Sequence, residues 1–207
     1  MTVIAVDGPA ASGKGTLARR LAAHYGLRHL DTGLLYRAVG LKVLRQGLEP
    51  LAAAMAVRLA DLDPSDLRSE EVGQAASKAA AIPEVRTALK ALQRRFGETP
   101  PGAVLDGRDI GTVVFPDAGA KIFVDASPEQ RAERRHRELL ERGVASIYSR
   151  VLQDMKARDA RDRDREVAPL TPAKDALVID SSTLDADGVF ALAVAHIDRI
   201  LPDLARG

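Results

Sequence analysis

Nine residues near the N-terminus combine three glycines, a lysine and a threonine in a pattern suited to phosphate chemistry: GPAASGKGT, from Gly8 to Thr16. The spacing fits Gly-x-x-x-x-Gly-Lys and directly follows the apolar run TVIAV. Glycines let the backbone approach phosphate oxygens, N–H groups at the start of the next helix bind the anion, and Lys14 neutralises the β- and γ-phosphates. We predict a loop that binds a row of phosphates, with the whole stretch in contact with them: Gly8, Pro9, Ala10, Ala11, Ser12, Gly13, Lys14, Gly15 and Thr16.

The residue after the lysine departs from the usual pattern of such loops. Gly15 stands where Ser or Thr is common, and Thr16 supplies the hydroxyl one residue later. We expect Thr16 to reach Mg²⁺, directly or through water, or an α-phosphate oxygen. The alternative is a glycine-rich turn with an incidental lysine, which the preceding strand and the complete spacing disfavour.

The segment DTGLLYR, residues 31–37, carries candidate groups for a phosphoryl acceptor. Arg37 has a planar guanidinium that matches two oxygens of a monophosphate. Thr32 is expected to cap the following helix or to bond the same phosphate, and Tyr36 to form a wall of the pocket. A capped helix with a surface arginine and a packed tyrosine explains this motif equally well.

A third cluster, LDGRDIGTVVFPDA, spans residues 105–118. Asp106 ends a predicted strand and is expected to face the Mg²⁺ region. Gly107 permits a sharp turn, which puts Arg108 and Asp109 at the carboxyl edge of the sheet, where ligands bind in open α/β folds. The alternative is an ordinary Asp-Gly turn, which the density of the GRDIGT cluster disfavours.

The charge-dense segment KARDARDRDRE spans residues 156–166. On a helix, one face carries three arginines and one aspartate: Arg158, Arg161, Asp162 and Arg165. A bound anion would relieve the excess positive charge. The other face pairs with itself, because Asp159 precedes Arg163 by four residues. A solvated ion-pair helix and an RNA-binding arginine helix are the alternatives.

A second arginine-rich helix is predicted from Ser127 to about Arg142. Its arginines are Arg131, Arg134, Arg135 and Arg137. Joined to the first through residues 143–149, it would form a hinged lid. Such lids exclude water, which would otherwise accept the phosphoryl group, and their arginines stabilise the spreading charge.

Apolar runs and helical patterns alternate along the chain, which predicts an α/β fold with a doubly wound parallel sheet of about five strands. The predicted strands are Val3–Val6, Arg28–Leu30, Ala103–Leu105, Lys121–Val124 and Ala176–Ile179. The predicted helices are Lys14–Tyr25, Leu34–Gln46, Pro83–Phe96, Ser127–Arg142 and a last one from Asp185 or Asp187 toward Ile200.

Composition excludes several function classes. The 207 residues carry a net charge of +1 and 3% aromatic residues, which disfavours nucleic-acid and membrane partners. The chain has no cysteine and no asparagine, so thiol chemistry is excluded and the Asn-Lys-x-Asp motif of GTPases is missing. No apolar run approaches the about 18 residues of a membrane span, and no secretion signal precedes the loop. We expect a cytoplasmic protein.

In order and spacing, GPAASGKGT, DTGLLYR, LDGRDIGTVVFPDA and ARDRDREVAPL resemble the bacterial cytidylate (CMP) kinases, in the nucleoside monophosphate kinase superfamily of P-loop proteins. The resemblance covers nearly the whole chain. It implies transfer of the γ-phosphoryl group of ATP to CMP or dCMP with Mg²⁺. It also implies a P-loop kinase core at about 1–33, 98–127 and 168–207, an acceptor-binding region at about 34–97 and a lid at about 128–167.

The resemblance also implies roles for single residues. ATP would be bound by residues 8–16 together with Arg134. CMP would be bound by Thr32, Tyr36, Arg37, Ser77, Arg86, Asp109, Arg158, Asp162 and Arg165. Catalytic contacts would come from Lys14, Arg108, Arg131 and Arg161, and Mg²⁺ would be held by Thr16 and Asp106. At the base, Asp109 would accept from the cytosine amino group while Ser77 and Arg86 donate to the ring nitrogen and carbonyl. Arg158 and Asp162 would hold the ribose hydroxyls.

The chain differs from many members of the family in one segment. They carry a β-rich insertion in the acceptor-binding region, whereas LADLDPSDLRSEE, from Leu59 to Glu71, is short and polar. We therefore predict a compact, helical acceptor-binding region.

Two alternative functions are considered beside the cytidylate kinase activity, and expectations for the oligomeric state and the histidines follow. A kinase acting on AMP, dTMP or dephospho-coenzyme A is one alternative, and a nucleic-acid-linked ATP-binding protein is another. We expect a monomer. The four histidines are scattered, so we expect surface or packing roles rather than metal ligation for them: His24, His29, His136 and His196.

Overall fold

The computed structural model describes residues 1–62 and 67–204. Its centre is a five-stranded sheet with the order β2-β3-β1-β4-β5, in which every neighbouring pair is parallel. The strands are β1 (Thr2–Asp7), β2 (Arg28–Asp31), β3 (Gly102–Gly107), β4 (Ala120–Asp125) and β5 (Leu177–Asp180). The predicted α/β class, the parallel sheet and each predicted strand are confirmed.

Helices cover both faces of the sheet, which explains why the three central strands, β1, β3 and β4, are buried along nearly their whole length. They are α1 (Lys14–His24), α2 (Thr32–Gln46), α3 (Pro50–Met55), α4 (Glu70–Ala79), α5 (Pro83–Gly97), α6 (Pro128–Glu141), α7 (Tyr148–Arg163) and α8 (Ala186–Ile200). Alternate residues of β1 enter different cores. Ile4 and Val6 pack toward α1 and α8, whereas Val3 and Ala5 pack toward α2, α3 and α5.

Helix boundaries follow local capping signals. The Ser127 hydroxyl accepts the Gln130 N–H at 3.3 Å at the start of α6, and Pro83 occupies the first turn of α5. Asp185, rather than Asp187, caps α8. These ends are therefore encoded within a few residues of each boundary.

Between β2 and β3 the described elements are helical. They comprise α2 to α5 and a 3₁₀ turn over Leu59–Asp61. Helices α2 and α4 pack closely because Gly40 lets the backbone of residues 72–76 approach. Residues 63–66 of the predicted short segment lie outside the described residues.

The two arginine-rich helices, α6 and α7, pack against each other. Helix α7 ends at Arg163, so the expectation of a helix through Glu166 is wrong. The predicted pair of Asp159 with Arg163 is also wrong. Asp159 is 3% exposed and binds Arg131 of α6, because a fully buried guanidinium requires a counter-charge.

Candidate active site

The glycine loop, residues 8–13, connects β1 to α1. Gly8 has φ +152°, and a Cβ atom there would lie 2.1 Å from the Val124 carbonyl oxygen of β4. Gly13 is left-handed at φ +92° and gives α1 no side-chain cap. The first-turn N–H groups of α1 are therefore left for an anion, which is the arrangement expected for phosphate binding.

Lys14 is the positive charge at this helix terminus. It is half-buried, and its Nζ donates to the Pro9 carbonyl oxygen at 3.3 Å. Burial lowers the pKa of Lys14 to about 8, and the charges of Arg108 and Arg158 lower it as well, while the Asp106 carboxylate opposes them. A polyphosphate beside Lys14 would supply the negative charge that stabilises its protonated form.

Arg131 connects helices α6 and α7 to the glycine loop. It is fully buried, and its guanidinium binds the Asp159 carboxylate through both Nη atoms, with Nη1 3.1 Å from Oδ1. The same Nη1 lies 3.3 Å from the Ala10 carbonyl oxygen, and Nε donates to Ala126. Arg131 therefore fixes the position of the loop relative to α7.

Arg134 supports the loop from a second side. Its Nη1 donates to the Ser181 hydroxyl at 3.0 Å, and that hydroxyl donates to the Ser12 carbonyl oxygen at 2.9 Å. Ser181 follows β5 and is 3% exposed. The loop is thus positioned by side chains from α6 and from the end of β5.

Carboxylate and hydroxyl oxygens suited to a metal lie beside the start of α1. Asp106 is 2% exposed, and its Oδ2 lies 3.6 Å from the position that a Cβ on Gly15 would occupy. Thr16 is exposed, and its hydroxyl accepts from Arg19 at 3.3 Å. A site with only one or two protein oxygen ligands beside a phosphate is suited to Mg²⁺, because this ion keeps several of its water ligands. In residues 1–62 and 67–204, no three His, Cys, Asp or Glu side chains gather as a metal cage.

A narrow pocket opens beyond Lys14, where β3 ends. The predicted catalytic residue Arg108 lines it, together with every predicted CMP ligand except Arg37: Thr32, Tyr36, Ser77, Arg86, Asp109, Arg158, Asp162 and Arg165. Arg86 forms a buried ion pair with Asp109 through Oδ2 and lies 5.7 Å from the centre of the Tyr36 ring. The Asp109 Oδ1 atom makes no hydrogen bond to another described residue, so it is available to a ligand.

Asp162 is the counter-charge of an arginine cluster in this pocket. Arg108 Nε donates to its Oδ2 at 2.8 Å, and Arg165 donates to its Oδ1. Burial alone would raise the pKa of Asp162, but Arg108, Arg165 and Arg158 hold it well below its usual range. Arg158 has a buried Nε without a hydrogen-bond partner among the described residues, and burial lowers its pKa to about 10. The cluster therefore has an unmatched guanidinium.

A larger cavity of about 540 Å³ lies between the glycine loop, α4 and the helices α6 and α7. Arg37 lines it and donates to the carbonyl oxygens of Leu67 and Ser69 at 2.7 and 3.2 Å. Burial and the nearby Arg135 lower the pKa of Arg37. The cavity and the narrow pocket share five lining residues: Lys14, Asp31, Gly33, Arg108 and Arg158. The two spaces thus meet beside the lysine of the loop.

Two predicted site residues have different surroundings from those expected. Thr32 does not cap α2. Asp31 does, by accepting the Gly33 N–H at 2.9 Å, while the Thr32 hydroxyl donates to the Asp106 carbonyl oxygen at 2.8 Å. Arg161 is exposed and donates to the Ser77 hydroxyl at 3.4 Å, so it contacts helix α4 rather than the glycine loop. Its proposed contact with the transferred phosphoryl group stays a prediction.

Some residues of this site carried no recognised signal in the sequence. The Asp7 carboxylate accepts the N–H groups of Ile110 and Gly111, both at 2.8 Å, and so joins the glycine loop to the segment after Asp109. Its signal is a charged residue at the end of an otherwise apolar strand. Asp159 and Ser181 have no comparable local signal, because their partners come from distant segments.

Comparison with known families gives a consistent result. The sequence model of the family described as Cytidylate kinase matches residues 4–199. A cytidylate kinase of Paramagnetospirillum magneticum is 60% identical over 205 residues, covering 95% of this chain and 97% of the relative. One of Xanthobacter autotrophicus is 59% identical over 201 residues, with 95% and 97% covered.

Comparison with solved structures supports the fold. A protein of Eubacterium ventriosum has a TM-score of 0.58 at 15% identity, covering 96% of this chain and 99% of the other. A gluconokinase of Sinorhizobium meliloti has a TM-score of 0.52 at 16% identity, covering 98% of this chain and 95% of the other.

Within the described ranges, no helix has the length and apolar character needed to cross a bilayer.

Proposed function

Because the chain belongs to the cytidylate kinase family, we propose that it moves the γ-phosphoryl group of ATP to CMP or dCMP, giving ADP and CDP or dCDP. One observation of the site carries the proposal. The pocket beyond β3 and the cavity at the glycine loop meet at Lys14, Arg108 and Arg158, so two phosphate-bearing molecules would be gripped side by side there.

The donor would lie along the glycine loop. The loop N–H groups and Lys14 would hold the ATP phosphates, with Arg134 and Arg131 supporting the loop from the lid. Thr16 and Asp106 would hold Mg²⁺, directly or through water. When bound, Mg²⁺ neutralises charge on the β- and γ-phosphates. Lys14 and Arg108 would stabilise the charge that spreads over the transferred group.

The acceptor would enter the pocket with its base toward Asp109. The free Oδ1 of Asp109 would accept from the cytosine amino group, while Arg86 and Ser77 donate to the ring nitrogen and carbonyl. Arg158 and Asp162 would bind the ribose hydroxyls, and Arg165 would lie near the base or the phosphate. An excess of guanidinium groups over carboxylates in this pocket favours a ligand that carries negative charge.

Transfer would be direct and in line. Arg37 and Arg108 would aim a phosphate oxygen of CMP at the γ-phosphorus of ATP. A bond forms between that oxygen and phosphorus while the bond from phosphorus to the β,γ-bridging oxygen breaks, releasing ADP. The attacking oxygen is already anionic, so no general base is required. Catalysis would come from positioning and electrostatic stabilisation.

The remaining assignments belong to the same proposal. We assign the core to about 1–33, 98–127 and 168–207, the acceptor-binding region to about 34–97 and the lid to about 128–167. We propose a cytoplasmic monomer without nucleic-acid or membrane partners, which the net charge of +1 supports. Membership in the family disfavours the alternatives of another small-molecule kinase and of a nucleic-acid-linked ATP-binding protein.

A panel of nucleoside monophosphates tests the function. CMP, dCMP, UMP, AMP and dTMP are each incubated with ATP and Mg²⁺, and nucleoside diphosphates are separated and quantified. We expect CDP and dCDP in amounts equal to the ADP formed. Strong turnover of AMP rather than CMP would overturn the substrate assignment. ATP hydrolysis stimulated by RNA, without any acceptor product, would support the nucleic-acid-linked alternative instead.

A further inference from the structure

His29 occupies a position that surface or packing roles do not explain. It lies on β2, the strand at the edge of the sheet beside β3. Its Nε2 atom is 2.7 Å from Oδ1 of Asp106, with the two side chains 21% and 3% exposed. The histidine therefore contacts the carboxylate that the proposed mechanism places beside Mg²⁺.

The two oxygens of Asp106 have different surroundings. Oδ1 is bound by His29, whereas Oδ2 lies 3.6 Å from where a Cβ on Gly15 would be. Oδ2 is therefore on the side of the glycine loop, and Lys14 is close enough for the Asp106 charge to raise its pKa. Asp106 is thus held by His29 through one oxygen, while its other oxygen faces the phosphate site.

A carboxylate on a short side chain can rotate, and rotation would exchange its oxygens or turn both away from the loop. An N–H donor on Oδ1 opposes this rotation. Groups that hydrogen-bond a metal-ligating carboxylate fix its orientation and commonly change metal affinity by about 10- to 100-fold. The contact requires only a proton on Nε2, which both the neutral Nε2–H tautomer and the imidazolium carry.

We propose that His29 is a positioning residue for Mg²⁺, which holds Asp106 through Nε2–H so that Oδ2 faces the metal bound with ATP. The inference rests on the proposed function, because it requires ATP and Mg²⁺ beside Asp106. His29 itself touches neither nucleotide nor metal. It acts through the orientation of one carboxylate.

Three variants test this role. His29→Leu removes the donor, and His29→Gln keeps an N–H donor on a side chain of similar reach. His24→Leu is a matched control, because His24 lies at the far end of α1 from Lys14 and packs against the ring of Phe190. Each variant is titrated calorimetrically with ATP in excess EDTA and at graded free Mg²⁺, without CMP.

The proposal predicts a selective loss. His29→Leu should raise the half-saturating Mg²⁺ concentration for ATP binding about tenfold, with ATP affinity in EDTA changed less than about twofold. His29→Gln should recover most of the native value, and His24→Leu should match the native protein.

Two results would overturn the role. One is an unchanged Mg²⁺ dependence in His29→Leu. The other is an equal loss of ATP binding with and without Mg²⁺, which would indicate a structural contact only. Failure of the proposed function would be distinct, since the native protein would then bind ATP without converting CMP.

Discussion

Replacement of Asp109 by asparagine should change which base the pocket accepts. Asp109 is 5% exposed at the start of the turn after β3, and Arg86 occupies its Oδ2 while Oδ1 is available. Asparagine keeps the size of the side chain and an acceptor for Arg86. It places an NH₂ donor where the proposed mechanism requires an acceptor for the cytosine amino group.

The size of the effect follows from the charged hydrogen bond that would be lost. Hydrogen bonds to charged groups contribute about 1.5–3 kcal/mol, which corresponds to about a 10- to 150-fold fall in kcat/KM for CMP. Uracil presents a carbonyl at the same ring position, and the new NH₂ group can donate to it. The ratio of kcat/KM for CMP to kcat/KM for UMP should therefore fall by at least the factor by which kcat/KM for CMP falls. The affinity for ATP should change little.

Steady-state kinetics with CMP and UMP at saturating MgATP measure this change. Asp117→Asn serves as the control, because Asp117 is an exposed aspartate on the same segment. Equal losses for CMP and UMP in Asp109→Asn, or a CMP preference equal to that of the native protein, would refute the assignment of Asp109 to the base. Thermal unfolding of both variants separates a loss of stability from a loss of recognition.

Further results are expected at three residues, Lys14, Arg131 and Asp7. Because burial lowers the pKa of Lys14 to about 8, kcat/KM for ATP should fall as the pH rises above 8, and a flat pH profile would contradict this. Lys14→Ala should abolish turnover while calorimetry shows that CMP still binds, and an active variant would contradict the role of Lys14. Arg131→Met leaves Asp159 buried without a counter-charge, so urea titration should show a loss of about 3–5 kcal/mol in the free energy of unfolding, and a loss below 1 kcal/mol would contradict the account. Burial raises the pKa of Asp7 to about 7, so the folded chain retains a proton between pH 4 and 7 that the unfolded chain releases. As the pH rises from 4 to 7, the free energy of unfolding should therefore fall by up to about 4 kcal/mol. Asp7→Asn should remove this pH dependence of the free energy of unfolding.

Features with local causes could be predicted from the sequence. The apolar runs gave the strands, while Ser127 and Pro83 marked helix starts, because a cap or a proline acts within one turn. The glycine loop was predictable for the same reason. Its glycines, its lysine and the strand before it are contiguous.

Features with distant causes could not be predicted. The sequence offers Arg163 as the partner of Asp159, but the folded chain brings Arg131 to it from 28 residues away. His29 and Asp106 are 77 residues apart and meet only because β2 lies beside β3. Ser77 and Arg86 were assigned to the base by resemblance alone, and nothing in their local pattern distinguishes them from ordinary helix residues. Strand order and helix packing decide such contacts, and a linear pattern does not encode them visibly.

The central claim is that two nucleotides are held with their phosphates facing each other beside Lys14. A crystal structure with CMP, Mg²⁺ and a non-hydrolysable ATP analogue tests it most directly. We predict the CMP base at Asp109 and Arg86, and a CMP phosphate oxygen about 3–3.5 Å from the γ-phosphorus, in line with the bond that breaks. CMP absent from this pocket, or seated with its phosphate far from the γ-phosphorus, would contradict the account.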